Sequence, residues 1–123
     1  MTMPTRQEQA EAILEQRGRR LAEAILGRRA TSSDDYAAAF TLERIDLIAA
    51  IPNGNALMSL GRNVAGPRDG LYVIADGPDH FRVYVQEKGE VRSPVEHVAF
   101  DEARDAVIDR VILLQGLPYD PPG

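Results

Sequence analysis

A chain of 123 residues with a net charge of −5 and no cysteine excludes several classes of protein. The apolar share is 44% and the charged share 27%, a balance typical of a globular domain. No apolar run approaches the roughly 18 residues of a membrane span, and the first residues lack the apolar centre of a signal peptide. We therefore expect one cytoplasmic domain over residues 1–118, without disulfides, thiolate metal sites or thiol nucleophiles.

The charge is unevenly distributed along the chain. Residues 1–31 contain six Arg and four Glu, whereas residues 32–123 contain eight basic and fifteen acidic side chains. An acidic body repels nucleic-acid phosphates and membrane surfaces and attracts basic partners at long range. The distribution therefore favours a partner that is neither nucleic acid nor membrane, unless the charge only keeps the protein soluble.

Two helical segments are predicted in the first half of the chain. Thr5 and Glu8 fit a capping box, and apolar residues then recur at helical spacing up to Leu26. Gly18 interrupts that pattern, which predicts either a kink or two shorter helices, and Gly27 fits a C-terminal cap. Residues 31–35 contain capping Ser and Asp side chains that predict a second helix, extending to Pro52.

Alternatives remain open in the same region. Residues 40–42 and 45–51 could also form short strands, because both stretches contain β-branched or aromatic side chains. Residues 56–60 are apolar but too short to distinguish one helical turn from a strand. Residues 63–69 contain Gly and Pro and are predicted to form a loop.

The stretch from 70 to 98 predicts an antiparallel β-meander of about three strands. Apolar and polar residues alternate in 71–76 and again in 81–86, and a Gly-Pro-Asp-His turn joins the two segments. A break at Lys88-Gly89 leads into a third segment, 91–98. Pro94 cannot donate to a ladder of hydrogen bonds, so that segment should be an edge strand or be broken there.

The last helix has the clearest signals. Asp101 and Glu102 suit the first turn of this helix, and Gly116 suits its end. Its apolar stripe comprises Ala103, Val107, Val111 and Leu114. Residues 119–123 form a Pro-rich tail. The predicted fold is therefore α+β, with N-terminal helices, a central antiparallel β-meander and a C-terminal amphipathic helix.

The sequence gives no indication of catalysis. His80 and His97 lack the spacing of metal ligands, and no serine lies in a nucleophile-elbow pattern. Glu102 and Asp105 lie on adjacent helical turns, but exposed carboxylates are poor general acids or bases near neutral pH. We therefore expect no enzyme, no cofactor and no metal.

The meander instead offers a surface for a protein partner. Its acidic residues can steer a basic partner, and Tyr84 is an aromatic side chain of the kind that anchors interfaces. Tyr84 and its neighbours could also be boundary core residues with a wetted hydroxyl. The predicted partner-binding residues are Tyr84, Glu87, Glu90, Asp76 and Asp79.

Residues 83–89 (Val-Tyr-Val-Gln-Glu-Lys-Gly) and 98–103 (Val-Ala-Phe-Asp-Glu-Ala), followed by a terminal helix, resemble small immunity proteins of bacterial polymorphic-toxin and contact-dependent inhibition systems. The chain has Glu-Lys-Gly where those families have Glu-Arg-Gly, and its Phe-Asp-Glu-Ala junction is shorter. The resemblance implies a cytoplasmic protein without catalysis that plugs the active site of a toxin, commonly a nuclease or an NAD-consuming enzyme. The alternative is a small self-associating regulatory or structural module, and the choice between monomer and homodimer stays open.

Overall fold

A computed structural model describes residues 2–123 and confirms the α+β class. Within those residues, six helices accompany one three-stranded antiparallel sheet. The elements are α1 (Arg6–Leu14), α2 (Gly18–Leu26), α3 (Ser33–Ala39), α4 (Arg44–Ala49), α5 (Gly54–Met58), β1 (Gly70–Ala75), β2 (Phe81–Glu87), β3 (Glu90–Val98) and α6 (Phe100–Leu114).

The chain divides into two compact units. The helical unit contains the described residues up to Ala50 together with Val111–Gly123. The meander unit contains Ile51–Arg110, which includes α5, the sheet and most of α6. Each unit has its own set of fully buried apolar side chains, including Ile13 and Leu47 in the first and Val73 and Val83 in the second.

Helices α1 and α2 confirm the predicted capping box, and of the two alternatives left open at Gly18 the structure has the two shorter helices. The Thr5 hydroxyl accepts from the Glu8 amide at 3.0 Å, and the Glu8 carboxylate accepts from the Thr5 amide at 2.9 Å. Gly18 begins α2, and a Cβ there would lie 2.9 Å from Oε1 of Gln115. Glycine thus allows the Gly18 amide to donate to that oxygen at 3.1 Å.

The single helix predicted up to Pro52 is wrong. Two helices, α3 and α4, occupy that stretch, and the segment between them is extended without joining the sheet, so the strand alternative is wrong as well. Gln9, only 1% exposed, fixes the segment: its Oε1 accepts from the amides of Thr41 (2.9 Å) and Leu42 (3.0 Å). Its Nε2 donates to the Thr41 hydroxyl at 3.0 Å and to the Pro4 carbonyl at 3.1 Å.

The Pro-rich residues 119–123 have no regular secondary structure but pack within the helical unit. The Tyr119 ring lies 6.3 Å from that of Tyr36 and 5.9 Å from that of Phe40. Pro121 is buried, and the carbonyl of Pro122 accepts from the Arg44 amide at 2.8 Å. Aromatic contact and one backbone hydrogen bond therefore fasten these residues.

The sheet has the strand order β1-β2-β3 and confirms the predicted meander. Leu71 pairs with Val85 and Val73 with Val83, so the alternating apolar residues share one face. Residues 88–89 form a two-residue hairpin turn in which both φ angles are positive, 52° at Lys88 and 79° at Gly89. Such angles define a type I′ turn, which matches the twist of the flanking strands.

Strand β3 is an edge strand, as the position of Pro94 predicted. Its register against β2 shifts twice, and Ser93 and His97 have positive φ angles of 49° and 55°. Arg110 of α6 donates from Nε to the Ser93 carbonyl at 3.1 Å and holds the distorted strand. Bulges and proline on an edge hinder pairing with a strand of another chain.

Helix α6 keeps the predicted start, with Asp101 and Glu102 in its first turn. Ala103, Val107 and Val111 are fully buried as predicted, whereas Leu114 is only half-buried. The chain leaves the helix through Gly116, whose φ of 66° suits glycine.

Candidate functional site

The four predicted acidic residues lie in two separate places on the meander unit. Asp76 and Asp79 belong to the turn between β1 and β2, and Glu87 and Glu90 flank the turn between β2 and β3. Because β2 rises about 3.3 Å per residue, the two turns are about 20 Å apart. The structure therefore forms a 76–79 patch and an 87–90 patch instead of one acidic rim.

The 87–90 patch is organised around one arginine. Arg92 approaches Glu90 at 3.1 Å through Nη2 and Glu87 at 3.6 Å through Nε. All three side chains are more than half exposed. Ion pairs in such exposure contribute about 1 kcal/mol or less, so a partner's cation could replace Arg92 at little cost.

The 76–79 patch contains an Asp–His contact that the sequence did not predict. Oδ2 of Asp76 lies 3.3 Å from Nδ1 of His97, whose side chain is 75% exposed. The positive φ of His97 in the bulged strand accompanies this contact, and period-two alternation cannot anticipate it. Within residues 2–123, Asp79 has no hydrogen-bond or ion-pair partner, which leaves its carboxylate to solvent.

Tyr84 lies in the interior of the meander unit, with 5% exposure. Its ring stacks on that of Tyr72, with centroids 4.8 Å apart and planes 9° from parallel. The guanidinium of Arg82 lies 6.0 Å from the Tyr84 centroid. This burial gives no support to the predicted role of Tyr84 as an interface anchor, and we leave it out of the surface proposed below.

Sequence reasoning set aside further acidic side chains that belong to the same unit. Asp101, Glu102 and Asp105 of α6 are all exposed. Over residues 70–109 the chain has nine acidic and four basic side chains, which makes this stretch the most acidic part of the protein. Asp101 and Asp105 are four residues apart and therefore lie on the same side of the helix, a sequence signal that could have added them to the predicted surface.

In the helical unit, by contrast, three acidic side chains accept hydrogen bonds from backbone amides. The amide of Thr5, with help from its hydroxyl, lowers the pKa of Glu8. The Thr31 amide, the Arg28 guanidinium and the Ser32 amide together lower the pKa of Asp35 well below its usual range. The Glu43 amide, and then Arg6, lower the pKa of Asp46. These three carboxylates belong to the capping boxes of α1, α3 and α4.

Residues 2–123 have the features of neither a metal-binding cluster nor a membrane-spanning helix. No cluster of three or more His, Asp and Glu side chains there is arranged to hold a metal ion. No helix in that part of the chain is long and apolar enough to cross a bilayer.

Comparison of the chain with family models, with curated proteins and with solved structures gave no match. The resemblance to bacterial immunity proteins therefore stays a prediction based on residues 83–89 and 98–103.

Proposed function

We propose that this chain is a non-enzymatic binding protein that neutralises a cognate bacterial toxin in the cytoplasm by covering the toxin's active site. One observation supports the proposal most directly: the capping carboxylates of the helical unit are bound to backbone amides, whereas those at the tip of the β2–β3 hairpin are exposed to solvent. Glu8, Asp35 and Asp46 are bound to backbone amides at helix starts. Glu87 and Glu90 stand on a hairpin tip with side chains 59% and 71% exposed.

The proposed mechanism is steric and electrostatic. Exposed carboxylates can stand in for substrate phosphates and occupy a cationic active site, which suits a basic nuclease or an NAD-consuming toxin. Complementary charge would raise the association rate and fix the orientation of the complex. The hairpins are suited to this role because the type I′ turn and the Arg110–Ser93 bond hold their backbone before a partner arrives.

If the proposal holds, the gene immediately upstream encodes a large secreted protein with a variable, toxic C-terminal domain, and co-expression with that domain is the test; an upstream gene without such a domain would count against the proposal. We expect that domain to arrest bacterial growth alone, and co-expression of this protein to restore growth through a complex that copurifies. A toxic upstream domain that this protein neither binds nor neutralises would contradict the proposal.

Charge-neutral variants locate the binding surface. Asp76→Asn/Asp79→Asn and Glu87→Gln/Glu90→Gln should each raise the Kd for the toxin and flatten its dependence on ionic strength, mainly through slower association. Glu11→Gln/Glu15→Gln is the matched control, because both residues are exposed and the change in net charge is the same. An equal effect of all three variants would assign the attraction to net charge and reject the two patches as the binding surface.

The rival hypothesis of a self-associating module has one observation in its favour. Val91 is an apolar side chain on the edge strand and is 54% exposed. The bulges and Pro94 of the same strand oppose edge-to-edge pairing. Sedimentation of the purified protein discriminates between the two functions: a stable homodimer that Val91→Lys dissociates would favour self-association over toxin binding.

A further inference from the structure

A cleft of about 500 Å³ opens beside strand β1 in the meander unit. Its walls come from the loop of residues 61–69 and from β1 itself, and include Arg62, Asn63, Val64, Pro67, Arg68 and Tyr72. Clefts of this volume are typical of small-molecule sites.

Hydrogen bonds from the sheet hold the far side of the loop. The amide of Gln86 donates to the carbonyls of Gly66 at 3.2 Å and Arg68 at 3.1 Å. The Tyr72 hydroxyl is also within hydrogen-bond distance of both carbonyls, at 3.0 Å from that of Gly66. Because Gln86 and Tyr72 are both buried, these bonds are partly shielded from water, and together they tie the loop to the sheet.

A backbone bridge holds the near side of the loop. The Arg62 amide donates to the Leu71 carbonyl at 2.9 Å, and the Val73 amide donates to the Arg62 carbonyl at 2.8 Å. The loop is therefore a fixed wall even though it has no helix or strand of its own, and a ligand would meet a cleft that is already shaped.

The charge of the cleft is positive. Asp69 is the acidic residue nearest in sequence, but its two oxygens accept from the amides of Lys88 at 2.8 Å and Gly89 at 3.1 Å. Nε of Arg62 makes one long contact, 3.4 Å to the Asp69 carbonyl. Within the described residues, no carboxylate lies in ion-pair contact with Arg62 or Arg68, and no acidic side chain is among the cleft's lining residues.

We propose that the cleft binds an oxyanion, a phosphate or carboxylate group of a small molecule, between Arg62 and Arg68. Guanidinium groups bind such oxyanions through paired N–H donors, and the Asn63 amide can add another donor. The carbonyls of Gly66 and Arg68 are already occupied, so the polar lining is rich in donors. Val64, 75% exposed, and Pro67 would contact the apolar part of the ligand. The proposal does not depend on the toxin-binding function.

Titration followed by ¹⁵N NMR tests the proposal directly on the full chain. Inorganic phosphate and sodium acetate are titrated separately at constant ionic strength, with sodium chloride as the balancing salt. We expect saturable shifts concentrated in the amides of residues 61–72 for at least one of the two anions. Tighter binding of phosphate would assign a phosphorylated ligand, and tighter binding of acetate a carboxylate ligand.

Three variants with the same change of charge sharpen the test. Arg62→Gln and Arg68→Gln should each weaken binding by about tenfold or more, which corresponds to the loss of a hydrogen bond to a charged group. Arg29→Gln, in the helical unit and outside both the cleft and the acidic patches, should leave the Kd unchanged. All three side chains are exposed, and the NMR spectrum of each variant reports directly whether it is folded. Absence of saturable shifts, or equal Kd values in all variants, would overturn the proposal.

Discussion

The helical unit and the meander unit use polar side chains differently. In the helical unit, the carboxylates of Glu8, Asp35 and Asp46 accept hydrogen bonds from backbone amides at the starts of three helices. In the meander unit, the neutral side chains of Tyr72 and Gln86 hold the loop of residues 61–69. The acidic residues of the meander unit are all exposed, and among them Asp69 also accepts hydrogen bonds from the amides of the 88–89 turn.

The difference has a consequence for function. A carboxylate that caps a helix cannot bind a partner without uncapping the helix, so Glu8, Asp35 and Asp46 are needed for folding. A carboxylate in an exposed ion pair can exchange its cation at little cost. An acidic residue alone therefore does not identify a partner-binding surface. Its hydrogen-bond partners show whether the carboxylate caps a helix or is free to contact a partner.

The largest expected effect is a loss of unfolding free energy when the buried side-chain amide of Gln9 is removed from the helical unit. Gln9→Ala leaves the amides of Thr41 and Leu42 without a partner, and we expect a loss of about 2–4 kcal/mol of unfolding free energy. Urea denaturation measures this loss. Gln7→Ala is the control, because Gln7 is exposed on the same helix and its side chain forms a hydrogen bond with exposed Glu11. Equal losses in the two variants would show that the Gln9 clamp contributes nothing beyond helix propensity.

A smaller effect is expected in the meander unit. Tyr72→Phe removes the hydroxyl that bonds to Gly66 and Arg68 and should cost about 1–2 kcal/mol. Hydrogen exchange of residues 61–69 should accelerate more than that of the helical unit. Tyr84→Phe is the matched control, because within residues 2–123 the Tyr84 hydroxyl has no hydrogen bond. Unchanged hydrogen-exchange rates of residues 61–69 in Tyr72→Phe would refute the conclusion that the Tyr72 hydroxyl holds the loop.

Acid should destabilise the helical unit through its capping carboxylates. Backbone amides lower the pKa of Glu8, Glu23, Asp35 and Asp46 in the folded state. Stabilisation by such groups is complete above the unfolded pKa of about 4 and is lost as pH falls through the lower folded value. Urea midpoints at pH 7, 5, 4 and 3 should therefore decline below pH 5, and Asp35→Asn should make that decline shallower. A midpoint that rises on acidification would contradict this account.

The smallest effect is expected at the 88–89 turn. Lys88 has a φ of 52°, a conformation that Asn adopts more readily than Lys. Lys88→Asn should therefore raise the unfolding free energy by a few tenths of a kcal/mol. Lys88→Gln removes the same charge without that preference and should not stabilise the protein; equal gains in both variants would assign the effect to charge.

Local patterns predicted most of the secondary structure. The predicted capping box at residues 5–8 and the predicted capping Ser and Asp side chains of residues 31–35 identified two helix starts, and period-two alternation predicted the pairing of β1 with β2. The break between α3 and α4 was missed because Gln9, 32 residues earlier in the chain, fixes it. The Glu43–Asp46 capping box was a local signal for the start of α4 that could have corrected the error.

The candidate surface was predictable only in part. The acidic residues were identified, and their division into two patches already follows from the predicted segment 81–86, which the structure confirms as β2 (Phe81–Glu87). Alternation puts Tyr84 on the face opposite Val83 and Val85, and that face is also buried at Tyr84 and Tyr72. The Asp76–His97 contact accompanies a bulge, and no sequence pattern in the third strand announced a positive φ at His97.

The capping carboxylates Glu8, Asp35 and Asp46 of the helical unit serve folding, and the carboxylates of the two meander patches do not. Urea denaturation at pH 7 tests this claim on two variants, Glu8→Gln/Asp35→Asn/Asp46→Asn and Asp76→Asn/Glu87→Gln/Glu90→Gln, which change the net charge equally. We predict a clearly lower urea midpoint for the first variant and an unchanged midpoint for the second. Equal midpoints, or a larger loss in the second variant, would contradict the claim.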